Sequence, residues 1–297
     1  MSAREALDEA PADPGEPFEL RLPAGQPGPI VFASPHSGRL YPPDMMAASL
    51  LGPGAIRLSE DAFVDELIAP ASRHGIPVLS LSCARAYIDV NREPYELDPA
   101  MFEDELPEFA QGRTARVAAG LGAIARVVGE GREIYARKLT FAEARRRIET
   151  VHAPYHRTLS ILVEQAKARC GAAVLIDWHS MPSAAARGAS MRGRRPPDMV
   201  LGDRFGAACA PGITALVHRE LERMGYTVSR NAPYAGGYTT EVYGRPKEGV
   251  HALQVEINRA LYLNEQAVSP HGGFNRLAAD LERLFAKLAA MDVELAS

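Results

Sequence analysis

Cysteine is too scarce in this chain to build a framework. Cys83, Cys170 and Cys209 are odd in number and far apart, so they form neither a disulfide scaffold nor the paired spacing of a thiolate metal site. Long apolar runs are missing too, since none approaches the roughly 18 residues a membrane helix needs. Cationic excess is absent: the formal charge is -4 and the isoelectric point about 6.1, which argues against a nucleic-acid partner. The arginines at 145–147 and between Arg192 and Arg195 are too few for a basic groove, although they leave room for a local anion pocket. The amino terminus carries Glu5, Glu9 and Asp13 and no apolar core, so no signal peptide is expected there. A reducing cytoplasm is the expected compartment, with no membrane partner, and a homo-oligomer is left open.

What is present is ordinary globular material, 46% apolar and 24% charged over 297 residues, enough to bury a substantial core. Residues 1–28, rich in Pro, Gly, Ala and acids, read as a flexible arm around a short strand near Phe18 to Leu22. Residues 29–297 read as a single α/β domain. Apolar runs at Ile30 to Ser34, Ile76 to Ser82, Ala172 to Ile176, Tyr226 to Arg230 and Leu253 to Ile257 read as strands. Helical periodicity is expected over Ser59 to Arg73 with Ser59 as N-cap, over Thr140 to Arg169 with a bend near Pro154, over Ile213 to Met224 and over Phe274 to Leu288. Arg85 to Arg92 alternates like a strand, and Ser183 to Pro197 reads as a flexible lid or binding loop. The alternation of strands and helices predicts a mostly parallel or mixed central sheet flanked by helices.

Three of these strands deliver polar groups to their ends. Pro35-His36-Ser37-Gly38 follows the first, Asp177-Trp178-His179-Ser180 follows the third, and Glu256 sits inside ALQVEI. Ionisable groups are expensive within an apolar sheet, so a crevice explains them better than a core does. His36, His179 and one carboxylate would supply the three protein ligands of a hydrolytic zinc centre, with Asp177 orienting His179. Asp61 is the preferred third ligand, with Glu60 and Asp65 as rivals by spacing. Each has a plainer reading: His36 as a strand-end hydrogen bond, Asp61 as a first-turn acid on a helix whose face it shares with Asp65.

Glu256, buried and ionisable, suits a general base, or else a salt bridge to Arg259. His251 is placed at the rim of the site. Arg85, Asn91 and Arg92 could bind an anionic substrate, because a guanidinium fork matches a carboxylate. Asn231, Gly236, Gly237 and Tyr238 offer amide, backbone and hydroxyl contacts to a ligand, or form an ordinary turn. No G-x-S-x-G elbow, P-loop, dinucleotide fingerprint or H-E-x-x-H occurs.

The segments VFASPHSG, SEDAFVDEL, RAYIDVNREP, IDWHS, NAPYAGGYTTEVYG and GVHALQVEINRALYLNE together resemble the N-formylglutamate amidohydrolase family, over roughly Pro29 to Leu288. The resemblance implies a zinc-carboxypeptidase-like fold, also shared with aspartoacylases, and Zn2+ held by His36, His179 and Asp61. It implies Glu256 as the catalytic carboxylate, Asn91 and Arg92 as the pair that holds a substrate carboxylate, and Arg85 as a group that binds substrate or polarises its carbonyl. Position 39 is Arg39 and not the Glu of an H-x-x-E motif, so the second ligand must come from farther along the chain. EINRALY also departs from the usual family pattern and bears on the identity of the acyl substrate. The implied activity is hydrolysis of N-formyl-L-glutamate, a small anionic N-acyl amino acid, as in histidine degradation. Hydrolysis of another N-acylated acidic amino acid or small peptide, or metal binding without catalysis, are the alternative readings.

Overall fold

The computed structural model describes residues 16–188 and 195–291. The first half of the expected arm, residues 1–15, and the centre of the expected lid, 189–194, lie outside the described residues. Strands are β1 (Phe18–Arg21), β2 (Ile30–Ser34), β3 (Val78–Leu81), β4 (Val127–Val128), β5 (Arg132–Glu133), β6 (Ala173–Met181), β7 (Met199–Gly202), β8 (Val228–Arg230), β9 (Val250–Asn258), β10 (Leu263–Asn264) and β11 (Ser269–Pro270). Helices are α1 (Pro43–Ala48), α2 (Pro53–Ile56), α3 (Val64–Ile68), α4 (Ala115–Ala118), α5 (Phe141–Arg147), α6 (Ala153–Cys170), α7 (Ser183–Gly188), α8 (Pro211–Arg223), α9 (Tyr238–Tyr243) and α10 (Gly273–Ala289).

Seven strands form one mixed sheet in the order β1-β3-β2-β6-β9-β7-β8. The run β3-β2-β6-β9 is parallel, while β1 and β7 join it antiparallel. The chain leaves β2 for β3 on one side and later returns to β6 on the other. The carboxyl ends of β2 and β6 therefore flank a topological switch point, where open α/β sheets form their crevices.

The sheet is covered on both faces, and strand alternation divides its side chains between them. Ile30, Phe32, Val174, Ile176 and Trp178 pack with α3, α8 and α10, and Phe32, Trp178 and Phe285 meet edge to face at 5.1–5.7 Å. Val31, Ala33, Ala173, Leu175, Val250 and Ala252 pack on the opposite face, against α6. Helix α10 buries Leu277, Leu281, Leu284, Phe285 and Leu288, a stripe at helical spacing. Thr140 and Glu143 close a capping box on α5. The expected interruption near Pro154 is a π-helical turn over Ile148–His152, directly followed by α6 with Pro154 in its first turn, where a proline is tolerated.

Two local expectations fail. Ser59 to Arg73 is not one helix with Ser59 as its cap: a 3-10 turn at Arg57–Ser59 is followed by α3, and Phe63 between them is left-handed at φ 65°. Asp61 therefore precedes the helix and shares no helical face with Asp65. Arg85 to Arg92 is a series of turns and no strand, because its backbone has no neighbouring strand to pair with along its length. The segment's residues Ala86, Tyr87, Ile88 and Val90 pack into the core, with Asp89 and Asn91 buried between them. The expected lid begins as helix α7.

Candidate functional site

Strand β6 is buried at all nine positions and runs through Asp177 and His179, so both lie within the strand and not beyond it. It pairs with β9 in parallel register, setting Asp177 beside Gln254 and His179 beside Glu256. Side chains two apart on a strand share a face, so these four polar groups project to one side of the sheet. His36 comes from the turn after β2. That turn packs so tightly that a Cβ on Gly38 would meet the Cys83 carbonyl oxygen at 2.1 Å, which only glycine tolerates. The Asp61 amide donates to the His36 carbonyl at 2.9 Å and carries its carboxylate to the same place.

His36, Asp61 and His179, all buried, converge. His36 Nδ1 and His179 Nδ1 are 3.0 Å apart, and Asp61 Oδ2 lies 3.4 and 3.1 Å from them. The far nitrogens face carboxylates: His36 Nε2 meets Asp89 Oδ1 at 2.7 Å and His179 Nε2 meets Asp177 Oδ2 at 2.9 Å. A carboxylate can only accept, so each Nε2 is protonated; a proton on Nδ1 would be donated to Asp61 Oδ2, and a cation in its place would meet both Nδ1 lone pairs. Three possible ligand atoms then face one another in a buried space, an arrangement that suits a cation. Their spacing is also that of ligand corners around a metal with bonds of about 2 Å.

The surrounding charges are arranged accordingly. Asp61 Oδ1 faces guanidinium groups, accepting from Arg259 Nη2 at 3.0 Å with Arg85 Nη1 at 3.8 Å. Burial alone would raise the Asp61 carboxyl, but the hydrogen bonds from His179 and His36 and the Arg85 charge outweigh it and hold it well below the usual range. For Asp89 burial is likewise outweighed, by Arg85, whose Nη2 donates to it at 2.7 Å, and by His36 and Arg92. Burial disfavours a charged His179, yet Asp177, Asp61 and Glu256 raise it well above its ordinary value in the metal-free cluster. Burial pushes Glu256 up to about 7, with Asp61 adding to the rise and His179, Arg85 and Arg259 opposing it. Glu256 Oε1 accepts from Gln254 Nε2 at 2.8 Å, and Gln254 Oε1 in turn accepts from the Gly237 amide at 2.8 Å.

A cavity of about 610 Å³ opens over this cluster, with Arg85, Asn91, Arg92, Gly237 and Glu256 among its walls. Gly237 is glycine for a packing reason, since a Cβ there would lie 2.5–2.8 Å from the Asn91 carboxamide. Asn91 Oδ1 accepts from the Thr239 amide at 2.8 Å, so this residue anchors the start of α9 as well as lining the cavity. Glu60 and Asp65 are engaged elsewhere: Glu60 with Arg57 and the Tyr41 hydroxyl, Asp65 with Arg39.

Three expected contact residues are not brought to the site. Asn231, left-handed at φ 57°, uses its carboxamide to bind the Asp203 and Phe205 amides and the Asp203 carboxylate, which makes it a turn residue. Tyr238 starts α9 and packs against His152 and His156 at 6.0 and 5.4 Å. His251 is paired with Val174, five residues before the Glu256 level, roughly 16 Å away at strand rise; it accepts from the Ala210 amide at 3.3 Å and is not at the rim. Conversely, Asp89 and Gln254 escaped sequence reasoning. Gln254 carried a usable signal, being two residues before Glu256 on the same strand face. Asp89 did not, because its role depends on a contact with a histidine 53 residues away. Arg259 pairs with Asp61 rather than Glu256 and also donates to Ser180 Oγ at 3.1 Å.

Residues 28–263 match the family model described as N-formylglutamate amidohydrolase. The chain is 29% identical over 242 residues to N-formylglutamate deformylase of Pseudomonas aeruginosa, covering 80% of this chain and 84% of that protein. It is 27% identical over 240 residues to the Pseudomonas putida N-formylglutamate deformylase, covering 80% and 82%. The crystal structure of N-formylglutamate amidohydrolase from Ralstonia eutropha JMP134 superposes with a TM-score of 0.87 at 40% identity, over 94% of this chain and 98% of that one. A gene product of Agrobacterium tumefaciens shares the fold at 17% identity and TM-score 0.61.

Proposed function

The chain belongs to the N-formylglutamate amidohydrolase family, and on that premise we propose that it hydrolyses N-formyl-L-glutamate to formate and L-glutamate with Zn2+ as cofactor. The observation that carries this reading is the convergence of His36 Nδ1, His179 Nδ1 and Asp61 Oδ2 beside a buried Glu256. Two imidazoles and one carboxylate are a hydrolytic zinc ligand set, and the same set underlies the proposed kinship with zinc carboxypeptidases and aspartoacylases. A bound zinc supplies Lewis acidity towards the formyl carbonyl and the attacking water.

The remaining steps belong to this chain's own side chains. Glu256 Oε1 is held by Gln254, leaving Oε2 to take the proton from the attacking water and later to pass it to the leaving nitrogen. Burial suits it to that exchange, because a carboxyl near neutrality both accepts and returns a proton. Asp89 and Asp177 fix the tautomer and direction of the two imidazoles. Arg85 and Arg92 bring positive charge to the cavity for an anionic substrate. The cavity volume, about 610 Å³, also favours a second reading in which the acyl group is larger than formyl.

The test is formate release from N-formyl-L-glutamate by metal-quantified protein, by the same protein after chelation, and after zinc restoration. Release lost on chelation and regained with zinc is expected. Zinc-loaded, folded protein that releases no formate would remove this substrate and transfer the reading to larger N-acyl acidic amino acids.

A further inference from the structure

The cavity extends past the histidine cluster to a wall built by a different part of the chain. Leu58, Leu121, Ala125, Val127, Val128 and Arg116 line it there. This wall is tied to the loop that carries Asp89 and Arg92. The Asp89 amide donates to the Ala123 carbonyl at 2.8 Å, Arg92 Nε to the Leu121 carbonyl at 3.0 Å, and the Leu121 amide to the Arg116 carbonyl at 2.8 Å. Its position relative to the reacting centre is therefore set before any ligand arrives.

Four arginines line the cavity, and three are committed. Arg259 holds Asp61 and Ser180, Arg85 holds Asp89, and Arg92 donates to the Leu121 and Asn91 carbonyls. Arg116 is different. Its nearest counter-charge is Glu96 Oε2, 3.8 Å from Nη1 and too distant for a hydrogen bond, while Glu96 Oε1 is bound to the Thr114 hydroxyl. Among the described residues its guanidinium donates no hydrogen bond, although its side chain is only 38% exposed. The guanidiniums also form a sequence. Arg85 Nη2 donates to the Asp89 carboxylate that also meets His36 Nε2, while Arg92 Nε donates to the Leu121 carbonyl of the wall. Arg85 Nη1 lies 3.8 Å from Asp61 Oδ1, at the cluster itself. Arg116 belongs to the wall segment whose Leu121 carbonyl Arg92 holds.

We infer that Arg116 determines specificity by receiving the side-chain carboxylate of the substrate, so that acidic N-acyl amino acids are selected over their neutral isosteres. This deepens the function proposed above and rests on it. In N-formylglutamate the α-carboxylate stands on the carbon bonded to the amide nitrogen, within the reach of groups close to the cluster. The side-chain carboxylate lies two methylenes farther out, across the apolar wall, where the uncommitted fork waits. A planar guanidinium with five free N–H groups binds such a carboxylate in bidentate fashion, and glutamine cannot reproduce the contact.

The experiment compares N-formyl-L-glutamate with N-formyl-L-glutamine in the wild-type enzyme, Arg116→Gln and Arg116→Lys. Loss of a charge-assisted contact should raise KM for the glutamate substrate roughly ten- to a hundredfold, with kcat nearly unchanged. Neither constant should move for the glutamine substrate, and Arg116→Lys should fall between. Equal losses on both substrates, or none on the glutamate substrate, would overturn the assignment. If the wild-type enzyme releases formate from neither, the proposed reaction fails separately. Arg116 is then judged by calorimetric binding of L-glutamate against L-glutamine: a preference lost in Arg116→Gln upholds its role, and its absence or persistence refutes it.

Discussion

Two pairs of buried histidines stand in this protein with nearly the same ring spacing, and their surroundings give them opposite chemistry. His36 and His179 have ring centroids 4.7 Å apart at the carboxyl ends of β2 and β6. His152 and His156 are 4.6 Å apart where the π-turn meets α6. The first pair is met by Asp89, Asp177 and Asp61. The second meets backbone carbonyls, His152 Nε2 donating to Arg92 at 2.9 Å and His156 Nε2 to Val90 at 2.7 Å. Burial dominates in the second pair: it lowers His152, and it lowers His156 to about 4, helped by the His152 charge. In the first pair the carboxylates outweigh burial at His179. Depth alone therefore does not decide what a histidine does. One pair converges with Asp61 on a shared point, and the other serves as neutral props beneath the loop that carries Asn91 and Arg92.

The largest effect that would sharpen this contrast is at Glu256, in register with His179. Glu256→Gln is expected to lower kcat by roughly 10²–10⁴ while metal content, measured by elemental analysis, stays at the wild-type level. Near-normal turnover in a metal-loaded variant would remove the proton-transfer role and, with it, the chemical difference between the two pairs.

The second effect concerns stability. His156 is neutral when folded and has a pKa of about 4, against an ordinary value of 6.5. Above 6.5 neither state is protonated and the group contributes nothing. Below 6.5 the unfolded chain takes up the proton first, so folding is weakened by about 1.4 kcal/mol per pH unit until the folded value is reached. Urea unfolding at pH 7 and pH 5 should show wild type losing about 2 kcal/mol more than His156→Gln over that interval. Parallel losses would place His156 outside the group that sets the acid limit.

The smallest expected effect tests whether the carboxylates define the first pair. Asp89→Asn keeps the shape but offers His36 a weaker acceptor, and should weaken metal affinity by about 10–100-fold in a competitive chelator titration. An unchanged affinity would make Asp89 merely a support for Arg85.

Much of the fold was legible because strand and helix patterns are local. The runs that became β2, β6 and β9 were identifiable, as was the stripe of α10, and Pro154 in the first turn of α6 marked the interruption just ahead of it. Phe63 defeated the helix reading of Ser59 to Arg73, since a left-handed phenylalanine violates its own intrinsic preference and is held by its surroundings. Arg85 to Arg92 alternates in sequence, yet residues 86–91 are all buried, and a strand also needs a neighbour, which sequence does not display. Asn231 and Tyr238 looked like ligand contacts because turn chemistry and binding chemistry draw on the same residue types.

The sequence by itself determined which side chains share a face: Asp177 with His179, and Gln254 with Glu256, through the two-residue period of extended chain. It also placed His36 and His179 at the ends of apolar runs, where a crevice is the cheaper home for an imidazole. Only the tertiary structure decided that His179 stands beside Glu256, that Asp61 and not Glu60 or Asp65 joins the histidines, and that Asp89 backs His36. A one-residue slip between β6 and β9 would turn Glu256 to the other face, and such a register is fixed by packing across the whole sheet. The choice among the acids follows from the left-handed turn at Phe63 and the amide of Asp61 on the carbonyl of His36. Those are contacts between distant parts of the chain, and no local pattern encodes them.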